Sequence, residues 1–145
     1  MNLILENSKY VDYYTYLDDI LREVSELQDY EWFISDLECY SDLLINESWM
    51  SGKELLRITN EHEIQIIWGV FSALTSRRNI LTNEIPYADC NDTFWKEDNV
   101  ETQLTDAQFE IVCWDSSLTL FINCNIEIVK KLKKLYPDIK DLDGV

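Results

Sequence analysis

A chain of 145 residues is long enough for one domain that removes roughly 68% of its unfolded surface from water. Its 46% hydrophobic and 12% aromatic content excludes a disordered chain, although 28 acids against 12 bases leave a net charge of −16. That charge repels nucleic acid and anionic membrane surfaces and favours a basic partner, and it also serves plain solubility.

No apolar run approaches the ~20 residues of a membrane span. The start, "MNLILENSKYVDYY", has no basic region, so no signal peptide is expected and the location is read as cytoplasmic. Cys39, Cys90, Cys113 and Cys124 are far apart and form no CxxC pair, which predicts reduced thiols and no zinc site.

After a short apolar start at Leu3 to Leu5, "KYVDYYTYLDDILREVSELQ" has the spacing of an amphipathic helix. Tyr10, Tyr13, Tyr14, Leu17, Ile20, Leu21, Val24 and Leu27 would share one face, with Asp12, Asp18, Asp19, Glu23 and Glu26 opposite and Ser8 as N-cap. Residues 30–37 read as a strand with Tyr30, Trp32 and Ile34 on one face and Phe33 and Leu37 on the other. Ser51 and Glu54 have capping-box spacing and start a short helix from about Gly52 to Glu61.

Residues 64–73 form the most apolar strand. Ile64, Ile66, Trp68 and Val70 would line one side, Ile67, Phe71 and Ala73 the other, and Gly69 marks a bulge or a close approach. Residues 79–107 have no sustained period and read as a long loop, with short strands near Ile80 to Glu84 and Val100 to Leu104. A hairpin over 109–114 and 118–123 follows, then a helix capped by Asn125, carrying Lys130, Lys131, Lys133 and Lys134 and stopped by Pro137. The fold class is therefore α+β over residues 1–145 as a single domain: one antiparallel, or mixed, sheet of about four to six strands with N- and C-terminal helices packed on it.

Asp115-Ser116-Ser117 raises the possibility of a serine nucleophile. His62 is the single histidine, and no glycine-rich elbow surrounds the serines, whereas Asp and Ser are ordinary turn formers. The carboxylate pairs Asp36 with Glu38 and Asp89 with Asp92 have spacings that arise readily in so acidic a chain. No catalytic, cofactor-binding or metal-binding residue is assigned, and no cofactor is expected.

The tract "DCNDTFWKEDN" sets Phe94 and Trp95 among Asp89, Asp92, Glu97 and Asp98. An aromatic anchor inside an acidic rim suits a basic protein partner, although the same aromatics could pin the loop to the core. Asp36, Glu38 and Asp42 form a second candidate patch. Loop placement favours binding here, because loops vary without disturbing a core.

The motifs "YEWFISDLECY", "SGKELLRI", "IQIIWGVFSAL", "FEIVCWDSSLTLFI" and "IVKKLKKLYP", spread between Leu17 and Tyr136, together resemble a family of small acidic proteins of Gram-positive bacteria, a domain of unknown function. The resemblance is weakest across residues 79–107 and implies no catalytic residues. In general character the chain is also similar to the immunity proteins of polymorphic toxin systems. That similarity implies a non-enzymatic protein that neutralises a basic toxin domain. The alternatives are a DNA-mimic inhibitor of a nucleic-acid-binding enzyme and a carboxylate–metal enzyme.

Overall fold

The computed structural model describes residues 1–144, and all seven of its strands pair antiparallel in one sheet. In chain order the elements are β1 (Leu3–Leu5), α1 (Asp18–Glu23), β2 (Glu31–Cys39), β3 (Ser48–Ser51), α2 (Gly52–Glu61), β4 (Ile66–Leu74), α3 (Thr93–Lys96), β5 (Phe109–Trp114), β6 (Leu118–Ile122), α4 (Ile126–Leu135) and β7 (Lys140–Asp141). The strand order is β3-β2-β4-β5-β6-β1-β7. The α+β class and the single antiparallel sheet hold, but the sheet has seven strands where the sequence predicted four to six. The extra strands β1, β3 and β7 are two to four residues long, too short to display an alternating pattern.

Each face of the sheet buries its own core. On one face Trp32, Ile34, Phe71, Phe109, Ile111 and Phe121 pack against Leu17, Ile20, Leu21, Leu55, Ile128 and Leu132, so α1, α2 and α4 all lie here. On the other face Ile4, Val70, Val112, Leu120 and Ile122 are covered by Ala88, Phe94 and Val100, which belong to the 79–107 segment. Apolar residues on both sides of β4 and β5 follow from this double cover.

Two locally coded helices form as their sequences require. Ser51 Oγ accepts from the Glu54 amide at 3.2 Å to start α2, and Asn125 Oδ1 accepts from the Ile128 amide at 2.9 Å to start α4. The Glu54 carboxylate does not complete a capping box; it pairs with Arg57 one turn on, at 2.5 Å.

The long first helix is not there. Residues 8–17 are irregular, α1 is six residues long, and Ser25–Asp29 is a 3₁₀ turn. Ser8 caps no helix: its hydroxyl donates to Asp138 at 2.7 Å and accepts the Tyr10 amide at 3.1 Å. Thr15 takes a φ of 65°, where a β-branched residue is strained, and so interrupts the helix. What holds it is β4: Thr15 Oγ1 donates to the Ile66 carbonyl at 2.5 Å, and the Ile66 amide donates to the Thr15 carbonyl at 3.2 Å. Helical periodicity survives only from Leu17 onward, where Leu17, Ile20, Leu21, Val24 and Leu27 are all buried.

Bulges also change two expected faces. Pairing of β2 with β4 slips between Ser35 and Glu38, where Asp36 has a φ of 48°, and Leu37 thereby joins the helix-covered core. A second slip sets Cys39 against Ile66 and leaves Ile67 extra, so Ile66 lies with Phe71 and not with Trp68. On β4 the extra residue is thus Ile67, while Gly69 lies opposite the Asp36–Leu37 bulge and is the close approach, since a Cβ there would lie 3.2 Å from the Ile66 and Phe71 side chains. Residues 80–84 and 100–104 contain no strand; Thr82–Glu84 is a 3₁₀ turn. With few glycines available, most of the left-handed turn positions are taken by Asn and Asp, as at Asn7, Asn99, Asp115 and Asn123, whose short polar side chains tolerate them.

Gly52 shows how closely α2 approaches the preceding turn. A Cβ there would lie 2.5 Å from the Leu27 carbonyl oxygen and 2.7 Å from the Gln28 backbone. Alanine is the better helix former, yet Gly52→Ala is expected to cost about 1–3 kcal/mol in chemical denaturation, because backbone must move. A gain in stability would show that this contact is loose.

Candidate protein-interaction surface

The segment 79–107 carries most of the sequence-nominated residues, and it has no strand to pair with. Carboxylates rising from the sheet take up its backbone amides instead. On β5, Glu110 is 1% exposed; its Oε1 accepts from the Gln103 amide at 2.6 Å, and its Oε2 accepts from the Leu104 amide at 3.2 Å and the Ser72 hydroxyl at 2.7 Å. At the β2 bulge, Asp36 Oδ2 accepts from the amides of Ala88 at 2.8 Å and Asp89 at 2.9 Å. The two ends of the segment are clasped by Arg78, whose guanidinium is bidentate to both Glu84 and Asp106 at 2.8–3.0 Å. The same bonds hold the Glu84 and Asp106 carboxyls below the usual carboxylate range.

So held, the segment sets its aromatics against the hairpin end of the sheet. Phe94, on α3, is 3% exposed and meets Trp114 edge-on at 6.2 Å, so this ring pins the segment to the core. Trp95 points outward, 42% exposed, with its ring perpendicular to Trp114 at 5.2 Å. Trp114 also meets Trp68 of β4 at 4.9 Å. Trp95, Trp114 and Trp68 thus form one continuous aromatic ridge, and Glu38 lies directly across from Trp68 on β2.

The acids around this ridge differ in what they are free to do. Asp92 pairs with Lys96 along α3, which lowers its pKa. Asp36 is half-buried and spends one oxygen on the segment's backbone. Asp89, Glu97, Asp98, Glu38 and Asp42 are exposed and make no ion pair among the described residues. Asp42 sits farther off, in the β2–β3 connection beside exposed Tyr40 and Leu43. Of the nominated residues, the fold gathers Trp95, Asp89, Asp92, Glu97 and Asp98 on one segment, with Glu38 on the adjoining strand.

Trp68 and Trp114 were not singled out in the sequence, because both read as ordinary alternating strand residues. Their one signal was size at a strand end: Trp is seldom completely buried. The Asp115-Ser116-Ser117 stretch forms the hairpin turn. Asp115 and Ser116 have φ of 49° and 55°, the Ser117 amide donates to the Trp114 carbonyl at 2.9 Å, and the Ser116 amide docks on the Ile67 bulge at 3.0 Å. His62 ends α2 in solvent. Among the described residues, no three His, Cys, Asp or Glu side chains gather as a metal site, and no helix is long and apolar enough to cross a membrane. No family model, curated protein or solved structure matches the chain.

Two outcomes test how the segment is held. Burial pushes the Glu110 carboxyl up from 4.5 to about 7, outweighing the opposite pull of its hydrogen bonds. The folded chain therefore holds this proton more tightly than the unfolded one. Its contribution to stability is full below about pH 4.5 and is lost as pH rises through about 7. Denaturation curves of Glu110→Gln are expected to lack this component, so the gap between parent and variant changes between pH 5 and 8; parallel curves would contradict it. Separately, Arg78→Ala is expected to lower the melting temperature and open residues 79–107 to limited proteolysis.

Proposed function

We propose that this protein is a non-enzymatic immunity protein, one that neutralises a basic toxin domain by docking it on the Trp95–Trp114–Trp68 ridge. The observation that carries the reading is the pairing of a half-exposed tryptophan ridge with a rim of exposed, unpaired carboxylates: Asp89, Glu97, Asp98 and Glu38. Aromatic anchors fill pockets on a partner and carry most of the binding energy, while the rim charges steer a basic surface into register. The anchor is held before the partner arrives, because Trp95 leans on Trp114 and its segment is bonded to the sheet, so little ordering cost remains at binding. The location that fits this role is the cytoplasm of a bacterium, where such a toxin would act.

A DNA mimic needs acids spaced along one face, and the sequence offers such a row only if Tyr10 to Gln28 is one helix. In the folded chain, residues 8–17 are irregular and α1 carries only Asp18, Asp19 and Glu23, so that row is not assembled.

The test is growth rescue and affinity against the toxin carried beside this gene. Trp95→Ala is expected to cost ~2 kcal/mol or more of affinity while leaving the melting temperature close to the parent's. Glu97→Lys and Asp98→Lys are expected mainly to slow association, an effect that shrinks in high salt. If Trp95→Ala lowers the melting temperature and leaves affinity intact, the ridge is core and the docking site lies elsewhere.

A further inference from the structure

A cavity of about 600 Å³ lies on the helix-covered side, under the irregular segment that replaces the expected first helix. It is lined by Tyr10, Val11, Tyr13, Tyr16 and Tyr136. Asp12, Asp18, Asp19 and Glu63 complete the lining, and no Lys or Arg lines it. Asp19 is engaged by Arg22, whereas Asp12, Asp18 and Glu63 make no ion pair among the described residues. A smaller cavity of about 250 Å³ shares Tyr16 and Glu63 and runs on toward Tyr40 and Gln65. The two together form a groove rather than a single hole.

Tyr136 points to an occupant. Only 7% of its surface is exposed, it lines the cavity, and its hydroxyl has no hydrogen-bond partner among the described residues. Burial, and then the charges of Asp19 and Asp18, raise its pKa, so it stands there as a neutral phenol. The groove is also fixed in advance. Ser8 and the Lys9 amide hold Asp138 at 2.7 and 2.8 Å, the Tyr14 hydroxyl accepts the Ser8 amide at 2.6 Å, and Gln65 donates to the Tyr14 carbonyl at 3.0 Å. Thr15 is locked to Ile66 as described.

We infer that this groove binds the cationic side chains of an extended, basic polypeptide segment, with a guanidinium or ammonium group lying against the tyrosine faces and reached by Asp12, Asp18 and Glu63. Ring faces attract cations, and carboxylates in a recess with low-dielectric walls concentrate that attraction. The volume lies in the ~300–1,000 Å³ range of small ligand sites, and its continuation toward Tyr40 suits a chain more than a compact ion. The groove ends at Tyr40 and Gln65, one residue from the Cys39–Ile66 pair of β2 and β4, on the face of the sheet opposite the tryptophan ridge. The inference does not depend on a partner at the tryptophan ridge.

The probe is a short capped peptide alternating arginine with glycine, titrated into isotope-labelled protein and followed by NMR. Saturable shifts are expected at residues 10–19, 63–65 and 136, and none with a counterpart carrying citrulline for arginine. Glu63→Gln and Tyr13→Leu, both at exposed positions, are each expected to weaken binding about three- to fivefold, and Tyr136→Phe to weaken it measurably. Trp95→Ala is expected to bind the peptide as the parent does, which separates this inference from the toxin-neutralising one. Shifts spread evenly over the acidic surface, equal binding of the citrulline peptide, or indifference to Glu63→Gln and Tyr13→Leu would overturn the site. Tighter binding of spermidine than of the peptide would overturn the polypeptide assignment.

Discussion

Backbone amides decide what this fold can present. A sheet strand satisfies its amides with its neighbours, but residues 79–107 lie across the sheet with no strand beside them, and side chains from the sheet accept several of their N–H groups instead. Glu110 accepts those of Gln103 and Leu104, and Asp36 those of Ala88 and Asp89. Both carboxylates stand on strands, so the covering segment takes its position from the most rigid part of the molecule. Phe94 then fills the second core, and Trp95 is left on the surface against Trp114.

Charge in this chain therefore does two kinds of work. Glu110, Asp36, Glu84, Asp106 and Asp138 hold backbone or guanidinium groups and serve the fold. Asp89, Glu97, Asp98 and Glu38 around the ridge, and Asp12, Asp18 and Glu63 around the groove, have no such partner among the described residues. Their mutual repulsion costs stability, which the apolar core on the second face of the sheet helps to offset. Both surfaces lie toward the same end of the sheet, where β2 and β4 carry their bulges. Those bulges are why a strand pair can turn Trp68 to one side and Ile66 to the other within two residues.

What was legible in the sequence was local. Ser51 before α2, Asn125 before α4 and the alternation through 109–122 are instructions contained within a few residues, and each is obeyed. What was not legible depended on distant partners. The tyrosine-rich stretch keeps helical spacing, but Thr15 is claimed by Ile66 and Ser8 by Asp138, and no window of sequence contains both members of either pair. β1 exists because β6 offers an open edge, and β7 because β1 in turn offers another, not because Leu3–Leu5 or Lys140–Asp141 declare themselves. For the candidate site, composition pointed to Trp95 and its acids, while Trp68 and Trp114 entered only once the strands were aligned.

Amide hydrogen exchange at Ala88, Gln103 and Leu104 tests most directly whether the 79–107 segment is a fixed second layer held by carboxylates. The account expects these amides to exchange slowly, with protection approaching that of β5, although they belong to no strand or helix. Exchange at the rate of a free loop would show that the segment is not seated, and the tryptophan ridge with its acidic rim would then not be a preformed surface.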